Sequence, residues 1–278
     1  MPHPPDTPVP GPDLFQLDGR VALITGVGGS FGRAAARGFA QAGASIFGID
    51  LDGEAAAVTA RLVQEDGGTI ETVAADVSRS DEVDGAFARL DAVFGHIDIL
   101  VNIAGTNPAQ GRPEDFPMEI WDHVLATNLT GKFLCAKAAA RRMIATGRGG
   151  SIVSVSSIAG STALGRGALA YGVSKAGVIQ MTRELAVAWA RHGIRVNAVQ
   201  PCQFVNAGLQ AIIEDPARAA LVERMVSGIP IGRMGRAEEI VGPLLFLSSP
   251  AASMVTGVTL PVDGGNLALN AGGSLPET

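Results

Sequence analysis

The sequence contains few of the residues that build disulfide frameworks and metal centres. Only two cysteines and four histidines occur among its 278 residues. Two isolated cysteines cannot form a disulfide framework, and neither they nor the scattered histidines have the spacing of metal ligands. We therefore expect no metal site, and a reducing compartment, the cytoplasm, as the location of the protein.

Charged residues and long apolar runs are scarce as well. Charged residues make up 17% of the chain, the net charge is −6, and no basic stripe is present. Such a balance argues against a nucleic-acid partner. No apolar run approaches the length of a membrane span, and the first residues lack the pattern of a signal peptide. We expect neither nucleic acid nor a membrane as a partner.

Glycine and apolar residues, in contrast, are abundant. Many of the 36 glycines fall between predicted strands and helices, where the backbone must come close to another group. Hydrophobic residues make up 47% of the chain, which is enough to bury a sizeable core. Residues 1–12 are rich in proline and predict a disordered tail, and residues 13–278 predict a single domain.

After the tail, short apolar runs alternate with helical stretches. Strands are predicted at 21–25, 44–50, 69–76, 97–105, 149–157, 193–201 and 257–262. Helices are predicted at 31–41, 54–65, 81–94, 117–145, 170–192 and 237–248, with an irregular helical segment at 206–235. The strand runs are continuously apolar, which is typical of parallel strands covered on both faces. The pattern predicts an α/β, doubly wound Rossmann fold with about seven parallel strands and helices on both faces.

The first strand and helix are joined by the glycine-rich segment TGVGGSFG, residues 25–32. A dinucleotide pyrophosphate is bound by backbone N–H groups at a helix N-terminus, and glycines allow the backbone to approach it. The spacing G-x-G-x-x-G fails because Phe31 stands at its third glycine. The spacing G-x-x-x-G-x-G nearly fits, with Gly26 and Gly32 in place and Ser30 at the middle position. The alternative is an ordinary glycine-rich turn without a ligand.

Asp50 ends the second predicted strand. A carboxylate at this point accepts hydrogen bonds from the adenosine ribose and repels a 2′-phosphate. Leu51 and Asp52 follow it, so no basic side chain is available to bind that phosphate. The arrangement favours NAD over NADP. The alternative is that Asp50 only caps the next helix.

Tyr171 and Lys175 stand four residues apart near the start of a predicted helix. Tyr171 is the only tyrosine, and Lys175 is one of three lysines. Residues at this spacing share a helix face. A free phenol has a pKa of about 10, and a neighbouring ammonium lowers it. The pair then can exchange a proton with an alcohol while a hydride leaves its carbon. The alternative is an exposed pair on the helix surface.

With these residues the chain resembles the short-chain dehydrogenase/reductase family from Leu14 to Asn266. Several further motifs carry the resemblance: N102-I-A-G105 after the fourth strand, with Ile103 where the family has a second Asn; Asp76-Val77 after the third strand; Asn128 within ATNLTGKF; and Ser157 within SVSSIAG. The resemblance implies a cofactor half at about 20–150 and a catalytic and substrate half at about 150–266.

The resemblance also implies a catalytic tetrad, Asn128, Ser157, Tyr171 and Lys175. Ser157 would bind the substrate oxygen, Lys175 would also hold the nicotinamide ribose, and Asn128 would support a water. Ser154 and Ser156 compete for the serine role, but Ile-Ala-Gly after Ser157 matches the family. The cofactor residues implied are Gly26, Ser30, Phe31, Gly32, Asp50, Asp76, Val77, Asn102, Ala104, Gly105, Tyr171, Lys175, Pro201, Phe204 and Asn206.

Three residues depart from the family pattern outside the tetrad. Ser30 replaces a glycine and tolerates a positive φ less well. Cys202 stands where the family has glycine after Pro201, and we interpret it as a small packing residue rather than a redox thiol. Asn206 stands in place of the threonine that meets the nicotinamide amide or the phosphate. Asparagine both donates and accepts, so we expect cofactor binding to survive.

The substrate is predicted only as a class. Asn107, Arg166 and Gln203 are the candidate substrate residues, and they favour a small polar molecule such as a polyol or sugar acid, oxidised with NAD. The resemblance implies a homotetramer built on helices 117–145 and 170–192, with the last strand and the helix 237–248 at a second interface. The alternatives are a ketone or 3-ketoacyl reductase, an epimerase or dehydratase on the same fold, and a non-catalytic NAD-binding regulator.

Overall fold

A parallel β-sheet runs through the centre of the molecule. The computed structural model describes residues 11–107, 111–165 and 167–269, and in these residues the sheet has seven strands in the order β3-β2-β1-β4-β5-β6-β7. The strands are β1 Val21–Thr25, β2 Ser45–Asp50, β3 Ile70–Ala74, β4 Ile99–Asn102, β5 Gly150–Val155, β6 Ile194–Pro201 and β7 Thr259–Val262. All neighbouring strands pair in parallel. The predicted doubly wound Rossmann fold is confirmed.

Helices cover both faces of this sheet. In the described ranges they are α1 Ser30–Gln41, α2 Gly53–Glu65, α3 Ser80–Phe94, α4 Met118–Leu125, α5 Gly131–Thr146, α6 Leu169–Trp189, α7 Ala207–Ile213, α8 Ala219–Ser227 and α9 Val241–Ser248. One core cluster joins α1, α2 and α9 to the sheet, and a second joins α3, α5 and α6 to its opposite face. Successive residues of β1, Leu23 and Ile24, are fully buried in different clusters. Both faces are therefore covered, as the continuous apolar runs predict.

The order of the strands places a crevice at their carboxyl ends. β1 lies between β2 and β4, and the connections that leave β1 and β4 run to opposite faces of the sheet. At such a switch point the connecting segments diverge and leave a cleft. The first and fourth strands therefore end at the two walls of one opening.

Two predicted elements differ from the structure. The predicted helix 117–145 contains a π-helical turn, Ala126–Thr130, between α4 and α5. The predicted strand 97–105 ends at Asn102, because the N–H of Ile103 turns away to the hydroxyl of Thr25 (3.1 Å). Both differences fall next to the crevice, where local geometry departs from regular structure.

The predicted disordered tail can be compared with the structure only at its last two residues. The proposed tail, residues 1–12, lies outside the described residues except for Gly11 and Pro12, and Pro12 begins a short 3₁₀ helix, Pro12–Phe15. In the part of the chain that the structure describes, no helix combines the length and apolar character needed to cross a membrane.

Candidate active site

A cleft of about 470 Å³ opens at the carboxyl ends of β1, β2, β3 and β4. Most of the predicted cofactor residues line it, namely Gly26, Ser30, Phe31, Gly32, Asp50, Asp76, Val77, Ala104 and Gly105. The lining also includes residues that were not predicted to bind the cofactor: Gly29, Ile49, Leu51, Ala75, Ile103, Thr106, His123 and Thr127. Most of these flank a predicted residue, whereas His123 and Thr127 come from the helical segment opposite and have no local signal.

The glycine-rich turn brings two chain segments into close contact. Gly26 has φ +72°, and a Cβ added there would lie 2.9 Å from the backbone nitrogen of Ala104. A Cβ on Gly32 would overlap the carbonyl oxygen of Gly26. Both positions therefore require glycine. Ser30 begins α1, and no non-glycine residue in the described ranges has a positive φ. The concern that Ser30 strains this turn was wrong.

The start of α1 fits an anionic group. Its N-cap residue, Gly29, has no side chain to accept from the first-turn N–H groups, and the first turn contains no acidic residue. Ser30, Phe31 and Gly32 bring this helix end to the cleft wall. Unsatisfied N–H groups at a helix N-terminus bind phosphate groups. The residues present thus suit the pyrophosphate of a nicotinamide dinucleotide.

Asp50 lies at the end of β2, where its carboxylate joins two loops. Oδ2 accepts a hydrogen bond from the N–H of Gly28 (2.8 Å), and Oδ1 accepts one from the N–H of Asp52 (3.0 Å). The cap of α2 is Asp52, whose Oδ1 accepts from the N–H groups of Glu54 and Ala55. The alternative that Asp50 only caps this helix was wrong. Asp50 remains half-exposed in the cleft wall.

The side chains of two other predicted cofactor residues, Asn102 and Asp76, form hydrogen bonds to other groups of the protein. Asn102 is fully buried, and its Nδ2 donates to the carbonyl oxygen of Lys132 (3.1 Å), so its side chain supports the cleft from behind. The Asp76 carboxylate lines the cleft and accepts from the N–H and the hydroxyl of Ser78 (2.8 and 2.7 Å). Only the second of these side chains is open to a ligand.

The segment after β6 approaches the cleft through its aromatic residue. Pro201 ends β6, and the ring of Phe204 packs edge-to-face on Phe31 with centroids 5.0 Å apart. Asn206 caps α7, because its Oδ1 accepts from the N–H of Leu209 (2.9 Å). Pro201, Phe204 and Asn206 are not part of the cleft lining. Their direct contacts with a cofactor stay predictions.

Three of the four tetrad residues lie together where β5 ends and α6 begins. Lys175 Nζ donates to the carbonyl oxygen of Val155 (3.0 Å) and lies 5.3 Å from the centroid of the Tyr171 ring. The Ser157 side chain lies near the Tyr171 phenol and lowers its pKa. The alternative of an exposed Tyr–Lys pair was wrong for Lys175, which is 4% exposed.

The competing serines have other partners. The Ser156 hydroxyl donates to the carbonyl oxygen of Lys175 (2.9 Å) and so secures the second turn of α6. Ser154 is 2% exposed within β5. Ser157 is the serine of this group that lowers the pKa of the Tyr171 phenol, and its hydroxyl accepts from the N–H of Ala159 (3.2 Å). The geometry agrees with the choice of Ser157.

Burial controls the acidity of the catalytic pair. Burial raises the pKa of Tyr171, and Ser157 offsets only part of that rise. Burial also lowers the pKa of Lys175 to about 8. The expectation that the ammonium lowers the pKa of Tyr171 was therefore wrong in direction, because desolvation outweighs it. Two titrating groups this close release their first proton as a pair, and that proton leaves near the pKa of Lys175.

Asn128 joins the catalytic helix to the segment after β4. It lies in the π turn and is fully buried. Its Oδ1 accepts from the N–H of Thr106 (2.7 Å), and its Nδ2 donates to the carbonyl oxygen of Thr106 (2.9 Å) and to Ser174 Oγ (3.2 Å). The Ser174 hydroxyl donates to the carbonyl oxygen of Tyr171 (2.7 Å). A water held beside Lys175 by Asn128 stays a prediction.

The predicted substrate residues are dispersed. Asn107 is exposed, Gln203 is half-buried, and Arg166 lies outside the described residues. The Gln203 Oε1 is buried without a hydrogen-bond partner among the described residues. Burial raises the pKa of Cys202, so its thiol is held in the protonated form expected of a packing residue. Among the described residues, no three His, Cys, Asp or Glu side chains gather as metal ligands would.

Comparison with known proteins gives consistent matches over nearly the whole chain. The family profile described as enoyl-(acyl carrier protein) reductase matches residues 26–266. The 2-dehydro-3-deoxy-D-gluconate 5-dehydrogenase of Escherichia coli (strain K12) is 37% identical over 91% of this chain and 98% of its own. The D-threitol dehydrogenase of Mycolicibacterium smegmatis is 38% identical over 90% of this chain and 94% of its own.

A solved structure agrees with these sequence matches. The gluconate 5-dehydrogenase of Burkholderia cenocepacia J2315, in complex with NADP and tartrate, superposes with a TM-score of 0.85 at 36% identity, over 93% of this chain and 99% of its own. Together with the Tyr171–Lys175 pair and the glycine-rich turn, these matches show that the chain belongs to the short-chain dehydrogenase/reductase family of nicotinamide-dependent oxidoreductases.

Proposed function

We propose that this protein oxidises a secondary alcohol of a polyol or sugar acid, with NAD as the hydride acceptor. The observation that carries the proposal is the pairing of the Tyr171 ring with the buried Lys175, whose Nζ lies 5.3 Å from the ring centroid, with Ser157 near enough to lower the pKa of the phenol. Such a group, placed next to a dinucleotide cleft, can bind an alcohol oxygen and remove its proton. NAD, when bound, supplies the hydride acceptor. A regulator that only binds NAD has no need of this arrangement.

Each catalytic side chain has a distinct task in this proposal. The Ser157 hydroxyl and the Tyr171 phenol bind the alcohol oxygen, and the phenolate takes its proton. Lys175 in its charged form stabilises the phenolate, and its burial lowers its pKa to about 8. Asn128 orients the helix through Ser174 and the carbonyl oxygen of Tyr171. The oxyanion of the reverse reaction would be bound by the same two hydroxyls.

The substrate class rests on relatives and on the polar candidates. The two sequence relatives are named for a deoxy sugar acid and for a polyol, and the superposed structure contains tartrate, a hydroxylated diacid. Asn107 and Gln203 offer amide groups for hydroxyl recognition. The second candidate is a ketone or 3-ketoacyl reductase of the same family, which would use the same phenol to protonate the oxygen of a reduced carbonyl. Tests with alcohols and with ketones distinguish the two.

Replacement of the phenol should abolish the reaction without removing the cofactor. In Tyr171→Phe we expect kcat to fall by about 10²–10⁴-fold, because a positioned acid/base is lost. Cofactor binding, measured by fluorescence titration, should be retained, because the other cofactor residues are intact. Activity is followed at the NADH absorbance band with a panel of polyols, sugar acids, hydroxy acids and simple secondary alcohols.

Two serine variants form a matched control for this test. Ser157→Ala should lose activity to a similar extent, whereas Ser154→Ala, which alters a buried serine three residues earlier in the chain, should retain it. Full activity in Tyr171→Phe would refute the proposed chemistry. Turnover restricted to large apolar ketones or steroids would refute the substrate class.

The pH dependence should report the buried pair. Oxidation needs the pair in its deprotonated form, so kcat/KM should rise with pH through a midpoint near 8, where Lys175 releases its proton, and then level off. The rate of the reverse reduction should fall through the same midpoint. Lys175→Met leaves Tyr171 with its raised pKa, which should move the rise to higher pH. An unchanged midpoint in that variant would contradict the assignment.

The choice of NAD over NADP follows from Asp50. Its carboxylate stands in the cleft wall at the end of β2, where it would repel a 2′-phosphate. We expect kcat/KM to be at least about tenfold higher with NAD than with NADP, and Asp50→Asn to narrow that preference. Asp52→Asn is the control, since Asp52 caps α2 and should affect stability but not the preference. A higher kcat/KM of the parent enzyme with NADP would overturn the choice.

A homotetramer is proposed for the assembly. Helices α5 and α6 expose apolar side chains, among them Phe133 and Ile144 on the first and Val173 and Val187 on the second, with Val187 82% exposed. Such residues are expected to be covered by a partner subunit. Sedimentation velocity at micromolar concentration should give the mass of four chains, and a monomer would contradict the proposal. A cytoplasmic location is proposed because both cysteines are free.

A further inference from the structure

The segment from Ile103 to Thr106 leaves the sheet at the cleft and must find hydrogen-bond partners elsewhere. On one side, the N–H of Ile103 donates to the hydroxyl of Thr25 (3.1 Å), and the N–H of Ala104 donates to the carbonyl oxygen (3.1 Å) and the hydroxyl (3.2 Å) of the same residue. On the other side, Thr106 exchanges two hydrogen bonds with the Asn128 side chain. Buried backbone groups without partners are costly, so these side chains determine where the segment lies.

Two carbonyl groups at the start of this turn are bound by Lys132. Its Nζ donates to the carbonyl oxygen of Asn102 (2.7 Å) and to that of Ala104 (2.8 Å). In return, Asn102 Nδ2 donates to the carbonyl oxygen of Lys132. Lys132 follows Asn128 by four residues, which places both side chains on the same side of the helical segment, facing the end of β4. The two residues thus hold successive parts of one turn.

The burial of Lys132 is unusual for a lysine. Its side chain is 1% exposed, and no carboxylate lies within 4.0 Å of it among the described residues. Burial, and next the charge of Lys175, lower the pKa of Lys132 well below its usual value. Burial raises the pKa of the adjacent Cys135 thiol to about 12, so that thiol provides no counter-charge. A buried lysine without an ion-pair partner is destabilising unless its hydrogen bonds compensate.

The bound carbonyls flank the residues that line the cleft. Ile103 and Ala104 form part of the cleft wall, and Ala104 lies against Gly26 so closely that a Cβ on the glycine would meet the Ala104 backbone. A displacement of Ala104 would therefore change both the wall after β4 and the glycine-rich turn after β1. The position of Lys132 links the interior of the protein to both walls of the cofactor cleft.

We propose that Lys132 is a positioning residue for the cofactor: its amino group fixes the turn 102–104 and thereby the width of the dinucleotide cleft. It touches neither the cofactor nor the substrate. Its contribution lies in two hydrogen bonds to backbone carbonyls that no apolar side chain of similar size can replace. The proposal predicts a defect in cofactor binding, rather than in the chemical step.

The test compares Lys132→Met, which keeps the length but removes the donors, with Lys132→Gln, whose amide restores two N–H groups without a charge. The parent enzyme is first assayed with NAD and NADP, and the cofactor that it turns over is then used throughout. In Lys132→Met we expect the Kd and the KM for this cofactor to rise by about tenfold, with kcat at saturating cofactor within about threefold of the parent value. Lys132→Gln should recover part of that loss.

Lys137→Met is the matched control, because it makes the same exchange on α5 at a half-buried position away from β4. It should leave Kd, KM and kcat at parental values. Thermal denaturation of every variant separates stability from binding. If Lys132→Met is less stable but binds the cofactor within twofold of the parent at a temperature where it is folded, the proposal is overturned.

Should Lys132→Met fail to fold, the comparison passes to Lys132→Gln and the parent. A folded Lys132→Gln with a raised cofactor KM and an unchanged kcat supports a positioning role. A parental KM overturns the proposal if thermal denaturation shows that the variant has lost stability. Equal losses in kcat and in kcat/KM would place Lys132 in the chemical step and would also overturn it.

Discussion

The need to satisfy the backbone where β4 leaves the sheet is the constraint on which this site depends. A strand inside a parallel sheet has its polar groups paired by its neighbours, but the turn after Asn102 loses most of that pairing and keeps a backbone bond to β1 from the N–H of Ala104 to the carbonyl oxygen of Thr25 (3.1 Å). Thr25, Asn128 and Lys132 take over that pairing from three directions. The turn after β4 forms one wall of the cleft and lies against Gly26. Its position therefore determines the position of the glycine-rich turn after β1.

The second constraint is the burial of cations without carboxylate partners. Lys132 and Lys175 are both buried and both bind backbone carbonyls, the first at the end of β4 and the second at the end of β5. Carbonyl dipoles offset part of the desolvation cost, but the pKa of each lysine is still lowered. The lowered pKa of Lys175 serves the reaction, because an ammonium that titrates near neutrality can share a proton with a phenol at the pH of the cell.

The three residues that depart from the family pattern fit the local backbone and packing at their positions. Ser30 lies in the first turn of α1 with ordinary helical backbone, where glycine has no advantage. Asn206 caps α7 with its side-chain oxygen, a task to which asparagine is well suited. Cys202 is half-buried, with its thiol held protonated. None of these three substitutions changes how Ser157 lies beside Tyr171.

The sequence by itself determined the features that depend on neighbouring residues. Continuous apolar runs specify parallel strands, glycines at 26 and 32 specify the tight turn, and the spacing of Tyr171 and Lys175 specifies a shared helix face. These are properties of a short stretch of chain, so a local pattern is sufficient. Asp50 followed from its place at the end of the second strand, and family motifs extended the prediction to Asn128 and Ser157.

Only the tertiary structure decided what depends on burial and on residues distant in the chain. The direction of the Tyr171 pKa was predicted wrongly, because spacing reveals a neighbouring charge but not the loss of solvent. The π turn at Asn128 and the end of β4 at Asn102 both arise from partners contributed by other elements. Lys132 is the clearest case: the sequence shows a helical lysine, which is ordinarily solvated, and only the packing of α5 against β4 turns it into a donor for two carbonyls. Desolvation and backbone pairing are set by three-dimensional neighbours, and a linear pattern does not contain them.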